Sequence, residues 1–146
     1  MGNMGIASAI GEMGGTFTYA PVPELQIELG AGLGFSGLQL SLMPKVSAGT
    51  SHHRLTLGLG PSVGIGTNRN PSVTCVSYWL HAEAGYELRS ASGLSFLIAV
   101  GLGKGLGGTM PGSPGPGMDT ADAVSPQSAS QRSVFPQGRI ALGRWF

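Results

Sequence analysis

Apolar and polar residues alternate with period two along most of this chain. In residues 24–35, Leu25, Ile27, Leu29, Ala31, Leu33 and Phe35 hold one parity, and Glu24, Gln26, Glu28, Gly30, Gly32 and Gly34 hold the other. Successive side chains of a strand point to opposite faces, so this segment predicts a strand with one oily face and one face of acids, amide and glycine. The pattern returns in residues 38–48, 54–66, 73–88, 94–106 and 134–146. Ahead of Glu24, Met13, Phe17 and Tyr19 oppose Glu12, Gly14, Thr16 and Thr18. A helical period of 3.6 is nowhere sustained, so the chain is expected to be all-β, with seven recognisable strands in a single domain over residues 1–146.

The connections differ in character on the two sides. Residues 20–23, 49–53 and 89–93 are short turns. Opposite them lie a minimal turn at Ser36 and Gly37, a turn-rich segment at 67–72, and residues 107–132, which carry four prolines and no hydrophobic period. That last segment reads as a long loop. Pro44 and Pro61, on the oily parity, lack the amide donor of a strand ladder and predict bulges or local gaps.

Side-chain volume decides which face is wet. An eight-stranded barrel has an interior only just wide enough for side chains. Seven faces of bulky aliphatic and aromatic residues would overfill it, whereas the opposite parity, rich in Gly, Ser, Thr and Ala, suits a narrow lumen. Charged residues make up 10% of the chain, against roughly 25% in soluble domains. The strands are also long enough to cross a bilayer at a tilt, for which about 9 to 11 residues suffice. The expected fold is therefore an up-and-down antiparallel transmembrane β-barrel with its apolar face outward. A charge at Leu29 is then expected to block insertion, and one at Gly32 to be better tolerated. A soluble lipocalin-like binder is the reading if the strands are inverted. The net charge of +1 gives no footprint for nucleic acid, and the single Cys75 cannot form an intramolecular disulfide.

The alternating strands and the terminus GRIALGRWF resemble the small outer-membrane β-barrels of Gram-negative bacteria, of the OmpA and OmpX type. In that family the last strand carries alternating hydrophobics and a final aromatic residue that the barrel-assembly machinery recognises. Ile140, Leu142 and Phe146 match this assembly signal, while Arg144 stands where an aromatic is often found. The resemblance implies eight strands, a cell outer membrane location, a monomer, and outer-membrane lipid and lipopolysaccharide as partners. It also implies a C-terminus in the periplasm, so that the long loop is extracellular. Counting back from there, the strand through Met13 and Tyr19 descends from the outer surface, and one further N-terminal strand with a signal peptide is expected to be missing upstream.

Candidate chemistry follows from the inward parity. Glu24, Glu28, Glu83 and Glu87, with Lys45, Arg54 and Arg139, are expected to form a salt-bridged network that plugs the lumen, because charges in a narrow cavity are retained when paired. Ser77, Trp79, His81 and Glu83 share one face, but residues two apart along a strand stand about 6 to 7 Å from one another, too far for a catalytic relay. His52 and His53 are adjacent and lack a third convergent ligand. The run GLGKGLGG lacks phosphate-loop spacing. No enzyme activity, metal or cofactor is expected. Tyr19, Phe35, Tyr86 and Phe96 fall near strand ends, as the aromatic belts of a membrane barrel do. The functional expectation is a structural or surface-interacting barrel. The alternatives are a narrow channel for small solutes and a lipid-modifying enzyme.

Overall fold

The computed structural model describes residues 2–34, 37–67, 74–109 and 134–144. Its regular elements are strands: β1 (Gly2–Ser8), β2 (Gly11–Val22), β3 (Leu25–Gly34), β4 (Gly37–Gly49), β5 (His53–Thr67), β6 (Thr74–Arg89), β7 (Leu94–Thr109) and β8 (Val134–Arg144). Each pairs antiparallel with its chain neighbours, and β1 also pairs with β8, from Gly2↔Leu142 to Ile6↔Gly138. The strand order is that of a closed barrel, in which β1 has a partner on each side.

The seven segments expected from alternation are β2 to β8. The strand expected to be missing upstream is a correction: its place between β2 and β8 is taken by Gly2–Ser8. Only Met4 and Ile6 alternate there with Asn3 and Gly5, a pattern too short to read as a strand. A second correction concerns residues 107–109, assigned to the long loop, which belong to β7. Residues 110–132, Phe35 and Phe146 lie outside the described residues. The prolines produce an interruption rather than a bulge. Pairing of β4 with β5 stops after Ser41↔Ser62 and resumes at Lys45↔Gly58 in the same register, around Pro44 and Pro61. Register shifts fall elsewhere, between Tyr78 and Trp79 against β7, and between Tyr19 and Val22 against β3.

Burial is inverted relative to a water-soluble fold. Leu29, Leu33, Leu57, Val100 and Leu142 are all more than half exposed, whereas Gln26, Glu28, Lys45, His81, Glu83, Glu87 and Arg139 are buried. The two parities of β2 to β8 therefore face a polar lumen and an apolar outer wall. Three connections, at residues 23–24, 50–52 and 90–93, crowd one end of the barrel, called here the turn end. At the opposite end, residues 9–10 join β1 to β2.

Candidate functional site: a layered polar lumen

At mid-height four charged side chains from four strands meet. Lys45 Nζ on β4 donates to Glu28 Oε2 on β3 at 2.9 Å and to Glu83 Oε1 on β6 at 2.6 Å. Arg139 on β8 donates through Nη1 to Glu28 Oε1 at 2.6 Å and through Nη2 to Glu83 Oε1 at 2.5 Å. The result is a ring of alternating sign, Glu28, Lys45, Glu83, Arg139, with no net charge and side chains almost wholly buried. Inside a low-dielectric cavity each charge would be costly alone, and the ring gives each carboxylate two cations and each cation two carboxylates. Arg139 Nε is left buried without a partner.

Two residues toward the other end on β6 and β8 lies a neutral layer. His81 Nε2 meets Ser62 Oγ at 2.8 Å, and His81 Nδ1 meets Gln137 Oε1 at 2.7 Å. An amide oxygen only accepts, so Nδ1 carries the proton and the Ser62 hydroxyl donates to Nε2. Gln39 Nε2 donates to Ser62 Oγ at 3.0 Å, extending the chain across β4, β5, β6 and β8. The opposite side of this layer is filled by backbone: Ala9 and Ile10 in the β1–β2 turn are buried completely or nearly so. A Cβ on Gly32 would collide with the Ile10 and Met13 carbonyls, and one on Gly30 with the Ile10 side chain. Gly11 makes the turn possible with φ of 86°. The expectation that Gly32 tolerates a charge is thus corrected, because the space beside it already holds the turn. Beyond this layer Trp79 and Phe135 pair at 6.2 Å, and Trp79 Nε1 donates to Ser77 Oγ.

The turn-end layer is built differently. Arg89 forks onto Glu87, Nε to Oε1 and Nη2 to Oε2, both at 3.0 Å, and the two are neighbours on one face of β6. Arg54 donates to Ser47 Oγ at 2.6 Å and to the Pro23 carbonyl. Below the ring a cavity of about 470 Å³ remains, lined by Thr16, Thr18, Gln26, Thr56, Glu87, Arg89 and Leu97, with Glu28 and Lys45 above it. Thr56 Oγ1 is buried and has no hydrogen-bond partner.

Of the seven charged residues expected to meet, the structure brings together Glu28, Lys45, Glu83 and Arg139 in one ring. Glu87 pairs separately with Arg89, Arg54 bonds neutral oxygens, and Glu24 is exposed in the turn before β3. Glu24 leaves the network because β3 begins at Leu25, so it never takes up the inward parity. His81 has Ser62 as its hydroxyl partner rather than Ser77. Sequence reading missed Ser62, Gln39 and Gln137, whose roles depend on cross-strand register, and Ile10, which enters the lumen from a turn. Arg89 was recoverable, lying two residues from Glu87 on the same parity. Tyr19, Tyr86, Ile140 and Leu142 are exposed on the outer wall and Phe96 is half-buried, with Tyr86 Oη 2.6 Å from His53 Nδ1. His52 Nδ1 meets the Arg89 carbonyl at 2.9 Å, and no metal-ligating cluster occurs among the described residues. No family model, curated protein or solved structure matches the chain.

Proposed function

We propose that this chain is a small bacterial outer-membrane β-barrel, its lumen sealed against free ion flow, with a structural or surface-interacting and non-enzymatic role. The observation that carries the reading is the inverted burial, with leucines and valines outside and a charge ring within. Water would leave that apolar wall unsatisfied, whereas lipid hydrocarbon matches it. In this reading the turn end faces the periplasm and the opposite end faces outward, and Tyr19 and Tyr86 meet the lipid headgroups. The resemblance of Ile140, Leu142 and the alternating strands to the OmpA and OmpX type supports the same placement. Outer-membrane lipid, lipopolysaccharide and the barrel-assembly machinery are then its partners.

The ring supports a plug, because two Glu, one Lys and one Arg bridge the lumen from four strands. Partition into detergent or membranes tests the membrane reading directly. Leu29→Arg is expected to cost about 2–4 kcal/mol at mid-membrane and to leave the chain uninserted. A protein that stays in solution without detergent is not this barrel. Single-channel recording tests the seal: steady conductance through the purified barrel replaces the plug with the narrow channel.

A further inference from the structure

The lysine of the GLGKGLGG run stands outside the lumen. Lys104 on β7 is exposed and pairs in register with Leu80 of β6 and Val134 of β8, which share its outer-wall parity. Leu102 and Leu106, its neighbours on the same face of β7, are 54% and 58% exposed. Glu28, Glu83 and Glu87 are buried in the lumen instead, and Lys104 has no ion-pair partner among the described residues. A lysine on a lipid-facing wall is strongly unfavourable at mid-bilayer and close to neutral at the interface, so its height decides what it can do.

That height is the outer margin of the apolar band. Lys104 lies ten residues beyond Leu94, where β7 leaves the turn end. At about 3.3 Å per residue and a tilt of about 45°, such a length rises about 23 Å, close to the apolar band of about 25 Å on membrane barrels. Tyr78 stands at the same margin. It lies two residues from Leu80 toward the outer end of β6, on the same face, and is 49% exposed. This makes it the diagonal neighbour of Lys104, a spacing that long side chains can bridge.

We propose that Lys104 and Tyr78 form a docking surface for the phosphate of a net-negative membrane lipid, whose acyl chains run down the outer wall along Leu102 and Val100. The inference rests on the membrane reading above. An ammonium and a phenol both donate hydrogen bonds, and phosphate oxygens accept them. Charge complementarity selects the occupant. The wall offers a cation without a carboxylate beside it, and a zwitterionic headgroup brings its own cation next to the phosphate, whereas a net-negative headgroup does not. A soluble phosphate presents the same oxygens without the chains, so the two sources are separable.

Native mass spectrometry of the detergent-purified barrel, given equal amounts of phosphatidylglycerol and phosphatidylcholine with the same chains, tests this. Phosphatidylglycerol is expected to be retained about fivefold over phosphatidylcholine, the scale of one cation at a charged lipid surface. Because Lys104 is exposed and unpaired, Lys104→Gln leaves the barrel's own ion pairs in place. That variant is expected to remove most of the preference, Lys104→Arg to keep it, and Tyr78→Phe to lower it about twofold. Glycerophosphoglycerol, which has the phosphate without the chains, is expected to be lost. Equal retention of the two lipids by the parent overturns the site. So does a preference that Lys104→Gln lowers by less than about twofold, which would belong to other cations such as Arg144, and so does a dimer that forms in place of lipid retention. Any of these outcomes in a barrel that partitions into detergent leaves the membrane reading standing, whereas a chain that never partitions removes both.

Discussion

Two ion-pair arrangements in the same lumen do opposite things to its free space. In the mid-lumen ring Glu28, Lys45, Glu83 and Arg139 come from β3, β4, β6 and β8, so although Lys45 and Glu28 stand on neighbouring strands, the other three pairs link strands that are not neighbours and carry the ring across the lumen. At the turn end Glu87 and Arg89 both belong to β6, so their bond runs along the wall. The first layer is closed, and the second borders an open cavity. What closes a narrow barrel is the number of strands its pairs connect rather than the number of charges it holds.

The widest break in this comparison comes from Arg139→Met. It leaves two buried carboxylates to one lysine, and uncompensated buried charge costs about 3–5 kcal/mol. Urea unfolding from vesicles is expected to show that loss, and conductance is expected to rise as the ring opens. If stability falls by less than about 1 kcal/mol, the range of an exposed pair, the ring is solvated and the contrast between layers disappears.

The neutral layer closes by another means, and Gly32→Ala sharpens the point. The new methyl meets the Met13 carbonyl at 2.5 Å and Gly14 Cα at 2.9 Å, backbone atoms that cannot rotate away. Overpacking of this kind costs about 1–3 kcal/mol. The same unfolding assay measures it, and a neutral result would mean that the Ala9–Ile10 turn lies outside the lumen.

The strands were legible because alternation is a local signal, visible at Leu25 to Leu33 without any knowledge of neighbours. Facing was legible too, since leucine volume excludes a full inner face. The partners within the lumen were not. Glu24 and Glu28 share a parity in the sequence, yet only Glu28 reaches Lys45 and Arg139, because strand tilt and the start of β3 at Leu25 set which residues share a height. His81 finds Ser62 through the register of β5 on β6, which period-two reading leaves undetermined. The place of Gly2–Ser8 in the barrel is equally non-local, because one of its two partners is β8, from the far end of the strand order.

Arg89→Met tests the wall-hugging pair against the ring. Its side chain is 16% exposed, and its removal is expected to cost less than Arg139→Met, because this arginine is itself partly in water and pairs one buried carboxylate, Glu87, rather than two. Equal losses from the two arginine variants would show that both layers are dry and would remove the distinction drawn between pairs across and pairs along the wall.

The smallest effect, and the one of opposite sign, is expected from Thr56→Val. In the ring Glu28 Oε1, Glu28 Oε2 and Glu83 Oε1 each meet a cation, so truncation there loses stability. Thr56 Oγ1 has no partner to lose, and replacing it by a methyl group removes a buried polar atom. The expected change is a gain of up to about 1 kcal/mol. Urea midpoints of the parent and the variant read that gain, and a loss of stability would show that the hydroxyl does have a partner.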